Sequence, residues 1–149
     1  MTFDFDFVHW LMGPPQSHSA SAARMPDGRP GEISALLTYS EGRHATVIAS
    51  GLMPTGSPFT TGFRTLFERA AFEHLATFSG GPPKTSFTVS AGTTPPRPVP
   101  VVERNPYEVE LRRFVDCIEG RADPALLDAD RAIEALRLSV ATIESFTRA

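Results

Sequence analysis

The sequence predicts an α+β fold, an open, mostly antiparallel sheet with helices packed on one face. Three observations predict it. Apolar and polar residues alternate through several runs of the first hundred positions, and Gly- and Pro-rich breaks separate those runs. Two stretches with helical apolar spacing follow, at 105–120 and from Asp128 onward. These two helices therefore follow a run of strands, an order that gathers helices on one side of a sheet rather than alternating them in βαβ units.

The 149 residues, 41% of them hydrophobic, suit one compact domain with a real core. A net charge of -3 without a basic run leaves no electrostatic footprint for nucleic acid or for an anionic membrane surface. No signal-like apolar run opens the chain, and no apolar stretch is long enough to span a bilayer. Cys117 is the single cysteine, which excludes an intrachain disulfide and a thiolate zinc site and suits a reducing cytoplasm.

The elements follow in order. Residues 4–13 suit a short helix with Phe3, Phe7, Trp10 and Leu11 along one side, Asp4 and Asp6 in the first turn, and Gly13 as its stop. The small residues of 14–25 read as an edge strand, and 26–31 as a loop. Ile33, Ala35, Leu37 and Tyr39 alternate with Ser34, Leu36, Thr38 and Ser40, Glu41-Gly42 make a turn, and Ala45, Val47 and Ala49 return, so this is a hairpin. Residues 51–58 form a Gly/Pro loop. The stretch 62–78 is ambiguous, because Phe63, Thr65 and Phe67 alternate like a strand while 66–75 has high helix propensity. After the break at 79–83 comes a strand at 86–90, then a Pro-rich connection at 93–100. Asn105 caps the next helix, Pro106 opens it, and Glu108 stands at the capping-box position. Tyr107, Leu111, Phe114 and Ile118 give that helix an apolar side to lay on the sheet, and Gly120 ends it. Asp123-Pro124 make a turn, and the last helix carries an apolar stripe of Ala132, Ile133, Leu136, Val140 and Ile143.

Few residues carry chemistry. Asp6 lies one helical turn from His9, and such a pair is more often a surface turn than an acid/base couple. His18, His44 and His74 fall on different strands without metal-ligand spacing, so no metal site is expected. Ser57 lacks a nucleophile setting, Cys117 reads as packing, and Tyr107 as a packed ring with its hydroxyl at the rim. Arg64 suits either an anionic substrate or an ordinary surface position.

The segment Asp4-Phe5-Asp6-Phe7-Val8-His9-Trp10-Leu11-Met12-Gly13, the turn Tyr39-Ser40-Glu41-Gly42, Asn105-Pro106-Tyr107 with Glu110-Leu111, the run 114–120, and Asp130-Arg131-Ala132 through Ser145 share an order and spacing. Together, over nearly the whole chain, they resemble the C-terminal half of Gfo/Idh/MocA oxidoreductases, the family of glucose-fructose oxidoreductase and inositol dehydrogenase. The resemblance implies a strand hairpin over 62–78 with its turn near Arg69-Ala70, and a free sheet face that packs against a second subunit as a homodimer. It also implies substrate contacts from Asp4, Asp6, His9 and Arg64, of which Asp6 and His9 are the catalytic candidates. Asp6 matches the family's second acidic position near the substrate, whereas His9 stands where the family often has Arg.

Departures from the family matter as much. The chain has no G-x-G-x-x-G turn and no counterpart of the nucleotide-binding half with its catalytic lysine, and the family's catalytic histidine position is Phe3. No cofactor is therefore expected on this chain alone, with NAD or NADP entering only through a separate nucleotide-binding domain. Three functions compete. The first is a substrate-binding and oligomerisation domain for a sugar or polyol, incapable of hydride transfer alone, cut from a longer gene or working with a separately encoded nucleotide-binding chain. The second is a cofactor-free lyase, isomerase or cyclase, and the third a non-catalytic dimeric scaffold. The first expects exposed apolar residues around Phe3, Phe5, Phe7 and Trp10, the second an enclosed polar pocket, and the third neither.

Overall fold

A computed structural model of the chain describes residues 1–102 and 104–147. Among these residues the fold is α+β, with two antiparallel sheets, three α-helices and no closed barrel. The strands fall into two sheets rather than one, and the chain divides into two compact units, Met1–Met53 with Phe114–Ala149 and Pro54–Arg113.

The first unit holds helix α1 (Thr2–Met12), strands β1 (Ser17–Arg24), β2 (Pro30–Thr38) and β3 (His44–Ser50), and the last helix. The strands pair in the order β1-β2-β3, so β1 is the expected edge strand and β2 with β3 the expected hairpin. The hairpin turns through Ser40–Gly42, where Glu41 takes a left-handed φ of 60° that ordinarily favours glycine. Directly paired residues share a side of the sheet. Ala20, Ala35 and Val47 therefore face inward together, and Ser19, Leu36 and Thr46 face outward. Phe5 of α1, Leu37, Tyr39 and the last helix close the core over the inward side.

The second unit holds β4 (Phe59–Leu66), β5 (Ala70–Phe78), β6 (Lys84–Ala91) and β7 (Thr94–Pro98), paired in that order. The hairpin over 62–78 is there, against local helix propensity, because each strand gains a full ladder of cross-strand partners. Gly62 lies opposite Leu75, and a Cβ at that position would press into the carbonyl oxygen of His74. The Pro-rich connection expected at 93–100 is instead strand β7. Prolines are tolerated at a sheet edge because the outer side needs no N–H, and Val99 beyond it still donates to the Phe87 carbonyl at 2.8 Å.

Helix α2 (Pro106–Ile118) spans the boundary between the units. Its cap is as expected, with the Tyr107 amide donating to Asn105 Oδ1 at 3.0 Å, while Glu108 pairs forward with Arg112 at 3.1 Å. The expectation that its apolar side covers a sheet is not met. Tyr107, Leu111, Phe114 and Ile118 remain 54–74% exposed. The turn expected at Asp123-Pro124 is a short 3-10 segment, Pro124–Leu127, capped by Asp123 Oδ1, which accepts from the Ala125 amide at 2.9 Å. Asp128 Oδ1 accepts from the Asp130 amide at 3.0 Å and so starts helix α3 (Ala129–Thr147) where expected.

Helix α3 reverses its expected orientation. Its buried side is Ala135, Ser139, Thr142 and Phe146 with Leu138 packed against the core, whereas Ile133, Leu136, Val140 and Ile143 are 43–54% exposed. Small side chains let the helix backbone approach β1, which offers Ala20 and Ala22 on the facing side. Ser139 Oγ donates to the Ala135 carbonyl at 2.9 Å and contacts Thr2 Oγ1 of α1 at 3.2 Å. Arg24 of β1 donates to the Phe146 carbonyl at 3.0 Å, placing a cation at the end of the helix where its dipole is negative.

Candidate functional site

Three of the four predicted site residues share helix α1. Acidic groups at the first turn and apolar residues at helical spacing form this helix, and it is anchored by Phe5, which is 1% exposed. The expected apolar side of Phe3, Phe7, Trp10 and Leu11 is not the buried one. Phe3 is 91% and Trp10 52% exposed, and Phe7 lies 6.0 Å from Trp10 between ring centroids.

Asp4 pairs with the Met1 ammonium at 3.0 Å. Asp6 is exposed to solvent, and His9 is half-buried with its Nδ1 enclosed and without a hydrogen-bond partner. No ion pair joins Asp6 to His9 among the described residues, so the two stand one turn apart as separate groups. The His9 carbonyl is occupied in ending the helix, where it accepts from the Gly13 amide at 2.8 Å. Arg64 belongs to the second unit, on β4, and pairs with Glu73 of β5 across the strands at 3.7 Å. Chemically, α1 offers a solvated carboxylate and an imidazole that can accept or donate a proton to a bound hydroxyl.

A shallow hollow of about 260 Å³ opens on the outward side of β1, β2 and β3, lined by Ser19, Ser21, Ser34, Leu36 and Thr46. Its hydroxyls can hydrogen-bond a polar ligand, but it contains no ionisable side chain. Among the described residues no cluster of His, Cys, Asp and Glu could hold a metal ion, and no helix is long and apolar enough to cross a membrane. Cys117 is half-buried with its thiol 3.5 Å from the Asp123 carbonyl, a contact that tethers the end of α2 to the turn that follows.

Sequence reasoning named the Ile133, Leu136, Val140 and Ile143 stripe of α3 but missed the side that packs inward, Ala135, Ser139, Thr142 and Phe146. The signal was present, since α3 is apolar on two sides, and a helix apolar on two sides sits between two layers.

The architecture is that of an open α+β domain with antiparallel sheets and helices, and comparison with solved structures agrees. Two crystal forms of UDP-N-acetylglucosamine 3-dehydrogenase GnnA from Acidithiobacillus ferrooxidans match 98% of this chain with TM-scores of 0.80 and 0.71 at 15% and 14% identity. The WlbA dehydrogenase from Bordetella pertussis, solved in complex with NADH and UDP-GlcNAcA, matches 97% with a TM-score of 0.56 at 17% identity. The chain spans 45% of the GnnA chain and 40% of the WlbA chain. The fold thus resembles the C-terminal domain of Gfo/Idh/MocA oxidoreductases, and at these identities the likeness is one of fold. No protein-family model and no curated protein matches the chain.

Proposed function

We propose that this chain is the substrate-binding and oligomerisation part of a Gfo/Idh/MocA-like, NAD(P)-dependent oxidoreductase acting on a sugar or polyol. The dinucleotide is supplied by a separate nucleotide-binding domain or chain, and hydride transfer requires both. The observation that carries this reading is the outward apolar surface of the helix pair α1 and α3. Phe3 and Trp10 on α1, and Ile133, Leu136, Val140 and Ile143 on α3, stand exposed although both helices already bury another side against the sheet. Burying the remaining half of each α3 residue is worth about 1 kcal/mol apiece. The four together would contribute about 4 kcal/mol of apolar burial, to be set against the loss of free motion on association. The match to less than half of a longer dehydrogenase supports the same reading.

Asp6 and His9 hold the substrate and are the acid/base candidates, with Asp4 on the same helix; Arg64, on β4 of the second unit, is a separate candidate anion contact. The neighbours are named for, or solved with, UDP-sugars, which supports a sugar-like substrate. The chain self-associates through an open sheet face and works in the cytoplasm. Calorimetric titration of the purified chain with NAD(H) and NADP(H) tests the reading, with solution mass measured on the same sample. No binding is expected. Tight, stoichiometric dinucleotide binding overturns the reading and makes the chain a minimal oxidoreductase in its own right.

A further inference from the structure

Helix α1 has two unlike sides. Phe5, Val8 and Met12 recur at helical spacing and turn inward onto the core, which fixes the helix. Phe3, Phe7 and Trp10 recur the same way on the outer side, where Trp10 is 52% exposed and Asp6 is open to solvent. Residues four apart on a helix are neighbours, with about 5–6 Å between their Cβ atoms, so the Asp6 carboxylate stands one turn from the indole. The Phe7 ring lies against Trp10 at 6.0 Å between centroids, with the ring planes 36° apart, and limits how far the indole can swing. Among the described residues, no side chain or amide occupies the Asp6 carboxylate.

A flat aromatic surface beside an open hydrogen-bond acceptor fits few ligands. The face of an indole is electron-rich and attracts the polarised C–H groups of a sugar ring, while a carboxylate accepts from hydroxyls at the edge of that ring. One pyranose satisfies both at once. A purely apolar partner pressed over Trp10 would strip water from the Asp6 carboxylate and return no hydrogen bond. A quaternary ammonium ion is held by rings on several sides, whereas two rings carried by one side of a helix form a platform rather than a cage. An open-chain polyol has the hydroxyls but no flat C–H side to lay on the indole.

We propose that Trp10 is the stacking platform for the pyranose ring of the substrate, with Asp6 accepting hydrogen bonds from its hydroxyls. This rests on the functional reading above and narrows the substrate from a sugar or polyol to a sugar in ring form. Trp10 thereby joins Asp6 and His9 as a binding residue on α1, and Phe3 with the outward stripe of α3 is left to the second layer.

Trp10 is the one tryptophan of the chain, so its fluorescence reports on the site directly. Titration of the whole chain with N-acetylglucosamine, a pyranose, should shift the emission to shorter wavelength and saturate with a Kd on the order of 1 mM. Glucitol, choline and UDP should give no saturable shift over the same concentrations. Saturation-transfer NMR with the same sugar needs no tryptophan and reads the variants. Trp10→Leu keeps an apolar side chain but loses the flat ring, and should raise the Kd at least about tenfold, while Trp10→Phe should recover part of that loss. Asp6→Ala should raise the Kd at least about tenfold, and Leu136→Lys on α3 should leave it unchanged. Both Asp6 and Trp10 are exposed, so thermal melting of their variants should match the wild type. No saturable response to N-acetylglucosamine up to about 100 mM, an equal or stronger response to glucitol, choline or UDP, or a Trp10→Leu chain that binds as tightly as wild type overturns the proposal. A chain that binds neither the sugar nor a dinucleotide overturns this proposal alone, whereas tight, stoichiometric dinucleotide binding overturns the functional reading.

Discussion

The two units solve the same problem to different extents. In the first, three strands lie under α1 and α3, and Phe5, Ala35, Leu37, Val47 and Ala135 are removed from water by two layers. In the second, four strands richer in aromatic residues pair mainly with each other, and Ala76 is the buried hydrophobic residue among those described. The difference teaches that apolar content does not make a core. A sheet side is dried by a second layer, and where none is supplied within the unit the aromatic rings shield one another sideways while their outer faces stay wet.

The largest test of this contrast is a pair of truncations. Leu37→Ala, at a fully enclosed position, is expected to cost about 2–5 kcal/mol in urea denaturation. Phe87→Ala removes more atoms from a half-buried position and should cost about 1–2 kcal/mol. Equal losses would mean that the second sheet is as well covered as the first.

Two hydroxyls in the first unit sharpen the comparison from the other direction. Tyr39 and Thr142 are buried, and their hydroxyl oxygens lack partners among the described residues. Tyr39→Phe and Thr142→Val should each stabilise by about 1 kcal/mol, because an unbonded polar atom is removed at nearly constant shape. Tyr39 adds a pH signature. Burial holds its phenol above the ordinary value of 10.0, against a smaller opposing pull from Arg43. A raised folded-state value means the contribution is present below the unfolded-state pKa and lost as pH rises through the folded one. Wild-type stability should therefore decline above about pH 10, and the Tyr39→Phe chain should lack that component of the decline.

A smaller gain, about 0.5–1 kcal/mol, is expected for Glu41→Gly, since the left-handed turn residue then carries no Cβ penalty. The smallest effect is expected at the outward stripe. Leu136→Lys should change the stability of the isolated chain by no more than about 0.5 kcal/mol. A loss of about 2 kcal/mol or more would show that this side of α3 is already covered, and would remove the main support for a missing second layer.

The candidate site was only partly legible. Asp4, Asp6 and His9 were placed on one helix by periodicity and acidic first-turn residues, and they are on it. That Phe5 rather than Phe3 anchors the helix, and that Arg64 is engaged with Glu73, depend on contacts distant in sequence. The hollow over β1, β2 and β3 was not anticipated, because it is lined by serines and a threonine whose spacing carries no chemical signature.

The sequence by itself determined what is local. The Asn105 and Asp128 caps, the Glu41-Gly42 turn and the alternation through β2 and β3 each follow from interactions within a few residues. The tertiary structure alone decided which side each helix presents. Periodicity ranks the sides of α3 by hydrophobicity and selects Ile133, Leu136, Val140 and Ile143. Packing ranks them by how closely the backbone can approach β1, and selects Ala135, Ser139 and Thr142. The assignment of β7 was settled the same way. Pro95, Pro96 and Pro98 argue against a strand in isolation, but an edge needs hydrogen bonds on one side only, and the unpaired edge of β6 supplied the partner.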